Sequence, residues 1–420
     1  MISYLEAKKL LFCNTYYLSS IKILSLDSLD KICFDNIYSN CCIPYFNNSA
    51  MDGYAIKSGE TKNIKNCSFI YKIIGCQYAG RENNFVNIEN FCAIEIMTGA
   101  LLPKNFDSVI KKEDVEIIYI NNVKYISINK IVSPFENVRV IGEDILKYDL
   151  IIKKNKIITA SDIMLLISLG INYINVYKSP NIVLFCTGEE IINSNSKLFN
   201  GSIYNSTYAY LKSFFLRLKI NFYYYGKIID NSKLFVRSIK QIQILDNPEI
   251  IISTGGVSKG KCDSIIFFLK LIKATILFNG VYIKPGKPLI FAKLNNNFTY
   301  FFGLPGNPVS SIIGIRFFIY PFIRKLFFLN DESSIKIKIS HFINKKKEYT
   351  NFFKAFLFKK NNEFFVDCLY EQESFKLYSL TQTYFWILLD DNNCFYNVND
   401  FVDVFSYEPY SWRNVLLYDK

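Results

Sequence analysis

The pattern of apolar and polar positions changes character several times along the chain. At the start, Leu5, Leu10 and Leu11 fall at helical spacing behind Ser3. Ser3 followed three residues later by Glu6 is a capping-box pattern, so a helix is expected from this point. Pro44 and Asn47-Asn48-Ser49 break the pattern into a loop. From Ile56 to about Val140 the apolar runs become short and β-like, at 69–74, 93–97, 108–111, 115–120 and 125–128. Asn121-Asn122 between the last two predicts a hairpin, and the whole stretch reads as a mostly β domain.

Residues 161–169 read as a short helix, with Ser161 as its N-cap and Gly170 closing it. After Pro180, strand-length apolar runs at 182–185, 222–225, 249–252 and 275–278 alternate with helical patterns at 208–218, 233–244 and 263–272. This alternation predicts βαβ units, a parallel sheet covered on both faces, and ligands beyond the carboxyl ends of its strands. The apolar stretch 309–329 is broken by Arg316, Pro321, Arg324 and Lys325, so a buried helix is expected there and not a membrane span. Short strands return at 335–339, 352–358, 364–369, 386–389 and 401–405, which predicts a small C-terminal β-barrel or sandwich. There is no internal repeat.

Composition adds bounds. A chain of 420 residues implies about two to four domains. Half of its residues are hydrophobic, which argues against disorder. The net charge of +12 comes mostly from Lys. The run Lys345-Lys346-Lys347 is expected as a solvated loop, and the scarcity of Arg weighs against a nucleic-acid partner. The 11 cysteines are scattered with no Cys-x-x-Cys, and His341 is the single histidine, so zinc and His-rich metal sites are not expected. The cysteines are expected to be reduced and mostly buried, in a cytoplasmic protein. Residues 1–10 lack the basic start and apolar core of a secretory signal.

The chemistry lies in loops. The first is Ser253-Thr254-Gly255-Gly256-Val257-Ser258-Lys259-Gly260-Lys261-Cys262-Asp263, between a strand and a helix. Its adjacent glycines allow a turn with exposed N–H groups, the helix dipole favours an anion, and Ser258 and Lys259 add donors. The spacing is not that of a P-loop. Asp263 either caps the helix or holds Mg²⁺ against a phosphate, and the loop alone leaves both open. Lys284-Pro285-Gly286-Lys287-Pro288 presents two cations around a rigid turn. Gly303-Leu304-Pro305-Gly306-Asn307-Pro308-Val309-Ser310-Ser311 is a further strand-to-helix loop. Any one could be a plain turn, but three at the same kind of place point to an anionic, phosphate-bearing substrate. In the β-rich region, Asp52 sits beside Gly53, Thr98 precedes Gly99, and Glu143 and Asp144 follow Gly142.

Taken in order, the segments at 49–56, 97–100, 137–145, 253–263, 284–288 and 303–311 resemble the molybdopterin molybdenumtransferase family, the enzymes related to the gephyrin E domain. The resemblance runs from the first helix to at least Ser311. It implies an α/β plus β fold: a MogA-like doubly wound α/β domain at 180–330, a β-rich domain at 47–146, a discontinuous linking domain at 1–46 and 147–179, and a C-terminal β-barrel at 331–420. It implies insertion of molybdate into adenylated molybdopterin with release of AMP, assisted by Mg²⁺. The implied assembly is a homodimer with its active site between subunits, and a molybdopterin adenylyltransferase is an implied partner. Carried over residue by residue, the catalytic positions are Asp52, Thr98, Asp144, Glu190, Asp230, Asp263, Lys284 and Lys287. The binding positions are Gly255, Gly256, Ser258, Pro305, Gly306, Asn307, Pro308 and Ser310, and the Mg²⁺ ligands Asp263 and Glu190.

The sequence departs from the family in three places. Glu189 replaces an Asp. Asn205, in Ile203-Tyr204-Asn205-Ser206-Thr207, stands where an Asp is usual and brings no negative charge. The family's Ser-x-x-Leu…Ala-Asn-Gly stretch is reduced to 378–384. Three other functions are weighed: a non-catalytic gephyrin-like scaffold, the adenylyltransferase itself, and a nucleic-acid binder. Retention of Asp52, Asp144, Glu190, Asp263 and Lys287 argues against the first, and the Asp52 and Asp144 segments against the second.

Overall fold

A computed structural model describes residues 1–62, 68–83, 85–86, 88–229, 231–245, 247–257, 264–294 and 298–409. The first helix, α1 (Tyr4–Cys13), opens with the expected box: Ser3 Oγ accepts the Glu6 N–H at 3.2 Å, and Glu6 accepts the Ser3 N–H at 2.8 Å. It buries Tyr4, Ala7 and Leu11 in the core of the central α/β unit. Ser20–Leu24 then pairs antiparallel with Tyr173–Tyr177, and Ile37–Tyr38 with Leu150–Ile152. The chain thus leaves this small unit and returns to it, with a β unit inserted between. The inserted unit is a six-stranded sheet whose core clusters contain only residues between 54 and 138. Its hairpin turns at Asn121 (φ 48°) and Asn122 (φ 63°), the positive-φ pair that matches strand twist.

Helix α2 (Ala160–Ser168) starts one residue earlier than expected, and its N-cap is Thr159, not Ser161. Thr159 Oγ1 accepts the Asp162 N–H at 3.1 Å while Asp162 accepts the Thr159 N–H at 2.9 Å, a reciprocal pair that Ser161 cannot make.

The central sheet comprises β1 (Asn181–Cys186), β2 (Asn221–Lys227), β3 (Ile250–Thr254), β4 (Thr275–Asn279), β5 (Ile290–Lys293) and β6 (Tyr300–Leu304), in spatial order β2-β1-β3-β6-β5-β4. It is not wholly parallel: β5 runs antiparallel to both β4 and β6. The links on either side of β5 are too short for a helical crossover, so the chain can only reverse. Side chains alternate between two covered faces. Ile182, Leu184 and Cys186 join α1, α3 (Ser206–Arg217), α6 (Pro308–Gly314) and α7 (Tyr320–Leu326). Val183 and Phe185 join α4 (Ser232–Leu245) and α5 (Ser264–Leu271) on the other face.

Between α6 and α7 the buried helical run loosens into a π turn at Ile315–Ile319. It carries Arg316, which is 1% exposed. Its guanidinium meets Glu332 at 2.6 Å, donates to the Ser406 carbonyl at 3.1 Å, and lies against the rings of Phe317, Tyr320 and Phe405. Pairing and ring contacts make the burial of this charge tolerable.

The C-terminal unit closes into a five-stranded barrel: Thr350–Lys360, Glu363–Cys368, Ile335–Ile339, Phe401–Ser406, Phe385–Leu389 and back to the first. A short strand from the α/β unit, Ile283–Lys284, adds to its edge in parallel with Thr350 and Asn351. Two expectations need correction. Lys345 is buried, its ammonium donating to the Tyr349 carbonyl at 2.9 Å, so the lysine run is not simply solvated. Among the described cysteines, all free, only Cys33, Cys92 and Cys186 are buried. No helix among the described residues is long and apolar enough to cross a membrane.

Candidate anion-binding site

The carboxyl ends of three parallel strands lie level. Cys186 of β1 is opposite Thr254 of β3, and Thr254 is opposite Leu304 of β6. From β1 the chain passes to β2 on one side, and from β3 it passes to the other. The gap between β1 and β3 is therefore the switch point where open α/β sheets take ligands. Backbone bonds hold the loops together here: Thr187 N–H to the Thr254 carbonyl at 2.9 Å and Gly255 N–H to the Leu304 carbonyl at 3.0 Å. Gly255 has φ 88°, and a Cβ on it would lie 2.7 Å from Thr187 Oγ1 and 2.8 Å from the Thr187 carbonyl oxygen. Only glycine lets these loops approach so closely. Gly306 borders the same spot, with the site of its missing Cβ 3.7 Å from the Gly255 Cα.

The remaining pieces gather around this centre. After Thr187 the chain turns at Gly188, and the carboxylate of Glu190 folds back over it, both oxygens 2.7 Å from where a Cβ would stand. Asn307 occupies the N-cap position of α6 without capping it, and its Oδ1 is buried with no hydrogen-bond partner. A buried acceptor without a donor is suited to receive one from a ligand. Pro305 and Ser310 are buried, and Pro308 starts the helix where a missing N–H costs nothing. The lysine loop packs onto this helix: a Cβ on Gly286 (φ 107°) would lie 3.4 Å from the Ser310 carbonyl oxygen. Lys284 and Lys287 are exposed, and the Lys287 ammonium lies 5.8 Å from the centre of the Tyr349 ring.

Between Lys284-Pro285 and the barrel lies a cavity of about 780 Å³, also lined by Lys345, Lys346 and Asn351. Asn351 Oδ1 is buried and unpartnered. Behind it, Lys354 is 1% exposed and donates to Ser379 Oγ at 2.6 Å. Burial pushes both Lys345 and Lys354 below the usual lysine range. Sequence reasoning missed these residues as site components. Lys345 stood in a visible basic run, whereas Asn351 and Lys354 lie inside an ordinary strand pattern that carries no signal.

The β-unit residues assemble separately. Thr98 donates its N–H and its hydroxyl to Asp52 Oδ1, each at 2.7 Å. The Thr98 N–H first, and then its hydroxyl, hold the Asp52 carboxyl below its ordinary range. Gly99 N–H donates to the Ser49 carbonyl at 2.8 Å, and Ile141 N–H to Asn47 Oδ1 at 2.7 Å, so all three β-unit segments meet near residues 47–49. Asp144 is exposed, its N–H held by the Ile43 carbonyl at 3.0 Å. Among the described residues, no core cluster joins this group to the switch point within one chain. Asp230, Ser258 and Asp263 lie outside the described residues. Among the described residues no three His, Cys, Asp or Glu side chains gather as a metal site, so Glu190 by itself does not make one.

Fold and site together define a multidomain α/β protein whose glycine-bearing strand-end loops converge at the switch point of its central sheet, with a lysine loop packed onto the adjoining helix. Residues 2–170 match the MoeA N-terminal region (domain I and II), and residues 184–325 match the probable molybdopterin binding domain. A molybdopterin molybdenumtransferase from Haemophilus influenzae is 32% identical over 301 residues, 71% of each chain. One from Staphylococcus epidermidis is 30% identical over 326 residues, 77% of this chain and 76% of its own. The chain belongs to the molybdopterin molybdenumtransferase family. The fold is likewise that of the molybdopterin biosynthesis moea protein from Pyrococcus horikosii, whose crystal structure matches with a TM-score of 0.83 at 23% identity, over 97% of this chain and 100% of that one.

Proposed function

We propose that this protein inserts molybdate into adenylated molybdopterin and releases AMP. The observation that carries the reading is the register of Cys186, Thr254 and Leu304. It brings the Thr-Gly-Glu-Glu, Gly-Gly and Pro-Gly-Asn-Pro loops to one point, with Lys284 and Lys287 packed alongside. In this reading Gly255 and Gly256 leave room for a pyrophosphate to approach the backbone, and Asn307 and Ser310 orient it. Lys284, Lys287 and the cavity lysines neutralise and hold molybdate. Bound Mg²⁺ would offset the pyrophosphate charge. Its proposed ligands are Glu190, beside Gly188 just past the end of β1, and Asp263, which lies outside the described residues.

The proposed assembly is a homodimer in which Asp52, Thr98 and Asp144 of one copy complete the switch-point site of the other. Their exposure supports this, as do the exposed Tyr45, Met164 and Ile167 of the linking region, which offer apolar surface to a second copy. The proposed domains are 1–46 with 147–179, 47–146, 180–330 and 331–420, and the pairing of 20–24 with 173–177 supports the discontinuous one. The free cysteines fit a cytoplasmic location, and an adenylyltransferase that makes the substrate is the proposed partner. The shared name of the curated relatives favours the transferase over a scaffold. The test is direct: purified protein with adenylated molybdopterin, Mg²⁺ and molybdate is expected to release AMP. Absence of AMP, beside an active relative as control, rejects the proposal.

A further inference from the structure

Asn205 is not idle where an acid is usual. Its Oδ1 accepts the Tyr208 N–H at 3.0 Å and so caps α3. Its Nδ2 donates to the Tyr224 hydroxyl at 3.1 Å and to Cys186 Sγ at 3.2 Å. Cys186 is the buried last residue of β1, and its sulfur also accepts from Thr254 Oγ1, the last residue of β3, at 3.1 Å. One buried sulfur therefore ties together three chain segments at the switch point. Cys186 runs straight into Thr187–Glu190, Thr254 into Gly255-Gly256, and Asn205 into α3.

Resting on the function proposed above, we infer that Asn205, acting through Cys186, is a positioning residue that sets the spacing between the 187–190 loop and the glycine loop, and so the place where a phosphate is held. With Cys186 and Tyr224 beside it in this chain, the position calls for one group that accepts from a helix N–H and donates twice. A side-chain amide does this, a carboxylate donates nothing, and a hydroxyl has one proton. The Tyr224 hydroxyl is pushed up to about 12, by burial first and then by the Cys186 sulfur, so it stays neutral beside the amide. The inward-turned, fully engaged amide of Asn205 is thus a clamp and not a ligand for substrate or metal.

The test compares Asn205→Ala, Thr254→Val and the double variant with the wild type. The readouts are the AMP dissociation constant by calorimetry, KM and kcat for AMP release, and the melting temperature. Asn205 and Thr254 each hydrogen-bond Cys186 Sγ and are linked through it. Each single change is expected to weaken AMP binding and raise KM about tenfold, with kcat within about twofold. The double variant is expected to do little more than either single, because both break one link. Asn205→Asp keeps the size and the helix cap but lacks the two donors. It is expected to melt like the wild type and to show the same rise in KM. Wild-type KM in Asn205→Asp, or additive effects in the double variant, overturns the inference. A wild-type protein that neither binds nor releases AMP would instead reject the proposed function, and the inference with it.

Discussion

At the scale of single residues the site depends on close approach and donor geometry. Gly255 combines φ 88° with a Cβ position blocked by a backbone carbonyl, which no side-chain rotation relieves. Gly201 has a similar φ of 86° but open space around it. Gly255→Ala is therefore expected to cost more than about 2 kcal/mol and to abolish AMP binding, whereas Gly201→Ala loses only about 1 kcal/mol of backbone strain. Denaturant titration of the two variants checks this, and equal losses would contradict the steric account. Asp52 gives a second prediction. Its lowered pKa contributes stability above the ordinary carboxylate range, and that contribution is lost as pH falls through the folded value. Thr98→Val removes one of two donors, so the Asp52 pKa is expected to rise part of the way back, as read by carbon NMR titration. Glycines and acids in loops were legible in sequence because their reasons are local: a positive φ, a turn, a strand end. Asn351 and Lys354 were not, because their surroundings come from other segments: Asn351 pairs with Lys284, 67 residues earlier, and Lys354 meets Gln372 and Ser379.

At the scale of elements, periodicity located most strands and helices because burial alternates on two faces of each sheet. What it could not show was direction. The strand at 290–293 lies between a proline turn and an asparagine-rich stretch, and nothing in its own residues states that it runs against its neighbours. The caps were partly legible: the box at Ser3 and Glu6 stood out, while the one at Thr159 and Asp162 was read two residues late. The helical run from α6 to α7 also carries a buried ion pair, Arg316 with Glu332 at 2.6 Å. Arg316→Met leaves the Glu332 carboxylate buried without its cation, and a loss of about 3–5 kcal/mol is expected in urea unfolding. Arg316→Met with Glu332→Leu is expected to recover most of it. If the double variant is no more stable than the single, unpaired charge is not the cause.

At the scale of the whole molecule, the decisive question is which copies build a site. Asp52→Asn and Lys287→Ala are each expected to be inactive as purified proteins. If Asp52 and Lys287 act together across a subunit boundary, a random equal mixture contains half mixed dimers, each with one intact site of two, and activity returns to about a quarter of wild type. A mixture as inactive as its parents would place both residues in one chain's own site. The barrel touches the lysine loop through the two-residue strand Ile283–Lys284 that it borrows from the α/β unit. A chain ended near residue 330 would strip that strand of its hydrogen-bonding neighbour while leaving every glycine loop intact. Such a fragment would bear a raw backbone edge next to Lys284 and Lys287, inviting a second fragment to bind where the barrel had been. A chain trimmed to 1–330 is thus expected to associate through that edge, as read by a concentration-dependent mass in light scattering.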